Sequence, residues 1–114
     1  MNKSESFPGT AYGIWADHST LRRESLGPLF LRATIALRGP IDPKWRGAFA
    51  SVRHDAEQFA RFTLDAVAPT VSFTFRPAEQ ADLYGVLQRL ELLIELANLH
   101  ATAMAAVTQR KTSA

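Results

Sequence analysis

Asp17, His18 and Ser19 supply the three side-chain types of a hydrolytic triad, but as neighbours on one segment. Consecutive residues cannot normally provide attack, proton transfer and orientation together. No Gly-x-Ser-x-Gly elbow and no phosphate-cradling glycine loop accompanies them. His54 lies beside Asp55 and Glu57 on the polar side of a helix, with Gln58, a poor metal ligand, one turn on. His18 and His100 have no ligand at metal-binding spacing, so no metal site is expected. Glu91 and Glu95, one turn apart, read as a wet helix face rather than an acid–base pair. Cysteine is absent, which removes disulfides, thiolate catalysis, iron–sulfur clusters and cysteine-based zinc sites. These residues point to a protein that is not an enzyme and needs no cofactor.

Anion binding is the chemistry with more material behind it. Arg32, Arg38 and Arg76, with Thr34, Ser72, Thr74 and Phe30, fall on the polar faces of two alternating segments. Arginine and hydroxyl groups on an open sheet can hold phosphate or a single-stranded nucleic acid. The usual stacking pair is missing, because Phe73 and Phe75 belong to the opposite, apolar face. A solvated sheet face accounts for the same residues. Thirteen basic residues against eleven acidic leave a net charge of only +2, too little to steer nucleic acid strongly.

The elements that position these residues follow from hydrophobic spacing. Residues 1–10 read as a loose tail and Ala11–Ala16 as an edge strand. Asp17–Gly27 is either a polar helical turn or half of a hairpin. In Leu29–Arg38, Leu29, Leu31, Ala33, Ile35 and Leu37 alternate with polar neighbours, which predicts a half-buried strand. Asp42 and Pro43 are a helix cap and first turn. Trp45, Ala48, Phe49, Val52, Ala56, Phe59 and Ala60 then form one apolar stripe. Phe62–Val67 reads as a short strand and Val71–Arg76 as a second alternating one.

A final helix is predicted from about Ala78 to Arg110, with Glu79 and Asp82 in its first turn. Leu83, Leu87, Leu90, Ile94, Ala97, Ala101 and Met104 form one stripe. Leu92, Leu96, Leu99 and Ala103, in line with Gly85, form a second on nearly the opposite side. A surface helix needs only one. Thirty residues reach about 45 Å, whereas a compact domain of this size is about 35 Å across. The helix is therefore expected to overhang, and its second stripe to be a homodimer contact. The alternative cover is the N-terminal segment.

A chain of 114 residues with 46% hydrophobic and 21% charged residues forms one domain, here over 11–110 with a frayed 111–114. Two apolar-faced strands and two striped helices predict an α+β two-layer sandwich, a sheet of three or four strands with both helices on one face. If the two strong strands are neighbours joined through the first helix, they are parallel. The expected core is Leu31, Ile35, Leu37, Trp45, Phe49, Val52, Phe59, Val71, Phe73, Phe75, Leu83, Val86, Leu87, Leu90, Leu93 and Ile94. Gly39–Asp42 and Leu64–Val67 resemble short pieces of sulfate-transporter and anti-sigma-antagonist domains. Ala68-Pro69-Thr70-Val71 stands where those carry their phosphorylated Asp-Ser-Ser-Gly turn, so no family is assigned. The functional expectation is a homodimeric interaction or regulatory module, cytoplasmic and without a membrane span, with itself and other proteins as partners. A nucleic-acid or anion binder is the alternative, and a small enzyme with a site at the dimer seam a third.

Overall fold

The computed structural model describes residues 12–113, apart from the side chains of 79–81 and 108–113. Strands β1 (Trp15–Ser25) and β2 (Leu31–Arg38) form a hairpin. Helix α1 (Pro43–Asp55) follows, then the two-residue β3 (Thr63–Leu64), β4 (Thr70–Phe75) and the long α2 (Leu83–Ser113). The sheet order is β1-β2-β4-β3, and every neighbouring pair is antiparallel. The architecture is α+β.

Alternation sets the layers. Ala33, Ile35 and Leu37 of β2 and Val71, Phe73 and Phe75 of β4 are buried. They pack with Trp45, Ala48 and Phe49 of α1 and with Val86, Leu90, Leu93, Ile94, Ala97 and Ala101 of α2. Both helices thus lie on one side. The opposite sheet face, with Arg32, Thr34, Ser72 and Thr74, is exposed or half-buried. Rings fill the centre: Phe62 meets Phe73 edge-on at 5.3 Å, and Trp45 meets Phe49 at 5.4 Å.

Several expectations need correcting. The strong strands β2 and β4 are neighbours but antiparallel. The crossover through α1 lands on β3, which is parallel to β2; the turn at 65–69 then returns β4 into the slot between them. Asp65 holds that turn by accepting from the Val67 and Ala68 amides at 2.9 and 2.7 Å. Of the two readings of Asp17–Gly27, half of a hairpin is the one the structure takes, with Asp17–Ser25 in strand. Leu29 precedes β2 and is 69% exposed. Helix α1 stops at Asp55, because Ala56 is extended; a 3₁₀ turn, Glu57–Phe59, still carries Phe59 into the core. A second 3₁₀ turn, Pro77–Asp82, precedes α2, so Glu79 and Asp82 lie ahead of the α-helix, and α2 runs beyond Arg110 to Ser113. Leu31, Val52 and Leu83 are half-buried against the core, while Tyr12, Ile14 and Phe62 join it unforeseen. The tail assigned to 1–10 lies outside the described residues.

The segment before β1 is locked to the helices. The Tyr12 hydroxyl donates to Asp42 Oδ2 at 2.8 Å, while Asp42 Oδ1 caps α1 by accepting from the Trp45 amide at 2.9 Å. Asn98 on α2 accepts from the Ile14 amide and the Trp45 indole N–H at 3.3 and 2.8 Å, and donates to the Ile14 carbonyl at 3.0 Å. Gly39 leaves β2 beneath this segment at φ +119°, where a Cβ would meet Ile14 at 3.3 Å.

Burial pulls the Asp42 carboxyl upward, but the Trp45 amide, the Tyr12 hydroxyl and Lys44 outweigh it, and the net shift is downward from 3.8. A carboxyl depressed in the folded state adds stability above its unfolded value and loses it as pH falls through the folded one. Asp42→Asn removes the charge, keeps one oxygen to accept from the Trp45 amide, and sets an NH2 donor against the Tyr12 hydroxyl oxygen. Its urea midpoint is expected to fall less steeply than the parent's as pH drops below 3.8; parallel curves overturn the assignment.

Candidate functional site

Two surfaces remain for function: the open sheet face and the outer side of α2. The ladder gathers the anion-binding candidates on the first. Arg32 pairs with Thr74 and Thr34 with Ser72 across β2 and β4, and Arg38 lies at the far end of β2. Arg76 follows β4 and is exposed; Phe30 precedes β2 and is 43% exposed.

Partners decide which of these cations are available. Arg38 Nε donates to Asp17 Oδ2 at 2.9 Å, and Arg32 lies 3.7 Å from Glu24. Two arginines that the sequence argument overlooked, Arg22 and Arg23 on β1, make no ion pair among the described residues. They are displaced by an irregularity in β1. Asp17 pairs with Ala36 but Arg22 with Thr34, so β1 advances further than β2 across this step. Thr20 fills the gap: its hydroxyl donates to the Asp17 carbonyl at 2.7 Å and accepts from the Ala36 amide at 2.8 Å. Beside this bulge lies a depression of about 500 Å³, lined by Thr20, Arg22, Arg23, Glu24, Thr34 and Thr70 over Ala36.

The would-be triad is pulled apart. Asp17 Oδ1 accepts from the Ser19 hydroxyl at 2.6 Å, whereas His18 turns to α2 and meets Glu91 at 2.6 Å. The Ser19 hydroxyl and then Arg38 hold the Asp17 carboxyl below its ordinary value. No hydrogen bond joins Ser19 to His18 among the described residues, so a base-activated nucleophile is not assembled. His54 lies in solvent, 4.0 Å from Asp55. No group of His, Asp and Glu suited to a metal ion occurs among the described residues.

On α2 the two stripes separate. Leu90, Leu93, Ala97 and Ala101 are fully buried, while Leu92 is 42% and Leu99 64% exposed and Ala103 is exposed. Leu96 is half-buried and shares an open groove with Val52, Phe59, Leu99 and His100. The described N-terminal residues leave this side bare, because Ile14 lies along the Ile94–Asn98 flank. Gly85 has a different role from the close partner approach its position suggested. A Cβ there would lie 2.9 Å from Asp82 Oδ1, so the preceding 3₁₀ turn occupies that space. The helix accounts for the elongated 58 × 33 × 23 Å shape, and Val107 on its last described turns is 51% exposed. Leu83–Val107 is long and apolar enough to cross a membrane by composition, yet its inner stripe forms this domain's core.

Asn98 was not singled out from the sequence. Its legible signal was an amide inside a long helix, at the margin of the core stripe, where asparagine gains nothing from helix propensity. Comparison of the chain with protein-family models, with curated proteins and with solved structures found no match.

Proposed function

We propose that the protein is a non-catalytic interaction module that pairs with a second copy of itself through the outer stripe of α2. The observation that carries this reading is the exposure of Leu92 and Leu99, opposite a fully formed core stripe on the same helix. Leu92, Leu96, Leu99, Ala103 and Ala106 repeat at 4-3 spacing, the period of paired helices. The pattern is self-complementary. An antiparallel two-fold arrangement centred near Leu96 sets Leu92 against Leu99 of the partner subunit. From Gly85 to Ala106 the seam is about 32 Å long. It would remove on the order of 1,200 Å² from water, the lower end for a stable interface. The cysteine-free composition supports a cytoplasmic setting.

Sedimentation equilibrium on untagged protein tests the reading. The parent should run at twice the chain mass. Leu92→Glu with Leu99→Glu should run as a folded monomer by circular dichroism, with association weakened about 100-fold or more. A monomeric parent, or a double variant that still dimerises, overturns the proposal.

A further inference from the structure

The geometry points to a second, separate site: the depression beside the β1 bulge binds a small phosphorylated ligand, a phosphate monoester or diphosphate. It lies on the open sheet face and does not depend on helix pairing. Its volume of about 500 Å³ is in the range of small-molecule sites. Arg22, which faces Thr34 across the ladder on this side of the sheet, and Arg23 line it, and neither has a carboxylate partner among the described residues. The nearby acids are already engaged: Asp17 is held by Arg38 and Ser19, and Glu24 lies beside Arg32. The lining carries a net positive charge, Arg22 and Arg23 against Glu24.

Hydroxyls complete it. Thr34 and Thr70 are half-buried there, and neither side chain has a hydrogen-bond partner among the described residues. Thr20 has both its donor and an acceptor position committed to the backbone, so it shapes the wall rather than the ligand contact. The Arg22 fork with adjacent hydroxyl donors matches the donor-hungry oxygens of a phosphoryl group.

A single strand of nucleic acid is the weaker fit. The exposed rings nearest this face, Trp15 opposite Arg38 and Phe30 before β2, stand at the two ends of β2. At 3.3 Å per residue that is roughly 26 Å, too far to stack successive bases.

Amide NMR titration with sodium pyrophosphate at constant ionic strength tests this. Saturable shifts are expected at Arg22, Thr34 and Thr70. Arg22→Glu should weaken binding about tenfold or more, and Arg61→Glu, a charge reversal of the same size away from the depression, should leave it unchanged. Thr34→Val, nearly isosteric, should weaken binding several-fold and serves if Arg22→Glu disturbs the fold. Absence of saturation up to about 10 mM, or equal losses with Arg61→Glu, overturns the site. Tighter binding of a short oligouridylate, with shifts reaching Trp15 and Phe30, overturns the ligand class in favour of nucleic acid.

Discussion

Asn98→Ala is expected to lower the unfolding free energy by about 3 kcal/mol, because one side chain serves three otherwise stranded backbone and indole groups. Trp45 is fully buried and Ile14 nearly so. Removing the amide leaves the Trp45 indole N–H and both polar groups of Ile14 without the partners they have at 2.8, 3.3 and 3.0 Å. The cost is that of unsatisfied buried donors and acceptors, and it exceeds the mere loss of three contacts. With a urea slope of about 1–3 kcal/mol per M, the midpoint should fall by roughly 1–3 M. The indole N–H gives an independent readout: its hydrogen exchange should be slow in the parent and fast in the variant. A cost below about 0.5 kcal/mol, the range of an ordinary surface substitution, removes Asn98 from this role.

The same residue marks the boundary of what was legible in the sequence. Alternation in Leu31–Arg38 and Val71–Phe75 and the stripe on Leu83–Ala101 identified most of the core, because burial on one face imposes a period that composition alone reveals. Asp42 was legible as a cap because capping is local. Tyr12, Ile14 and Asn98 were not, because their contacts join residues far apart in sequence and none is periodic. Asp17–Gly27 stayed open between a helical turn and half of a hairpin for a related reason. Its bulge breaks the two-residue period where Thr20 replaces a ladder partner, and its residues beyond Leu21 are exposed. That bulge also places Arg22 and Arg23, whereas two of the three cations selected by alternation, Arg32 and Arg38, are given to acids. The parallel reading of β2 and β4 failed on a two-residue strand. Thr63–Leu64, within the short strand read at Phe62–Val67, receives the crossover, and nothing in the sequence pattern shows which strand it lies beside.

The strongest test of the two-layer reading compares neighbours on one strand. Phe73→Ala is expected to cost about 3–5 kcal/mol, the range for a buried aromatic truncated in a core that cannot collapse around the gap. Phe73 is 2% exposed and lies between Phe62 and Phe75, with ring centroids at 5.3 and 5.9 Å. Thr74→Ala, one residue on, should change stability by no more than about 0.5 kcal/mol, since that side chain faces water. Urea denaturation of both variants at equal protein concentration reads the contrast. It also bears on function, because among the described residues the open face is the sheet surface a ligand can reach without opening the core. A Thr74→Ala cost approaching that of Phe73→Ala, and shrinking on dilution, would mean that a second copy covers this face. The pairing surface would then be the sheet rather than the outer stripe of α2.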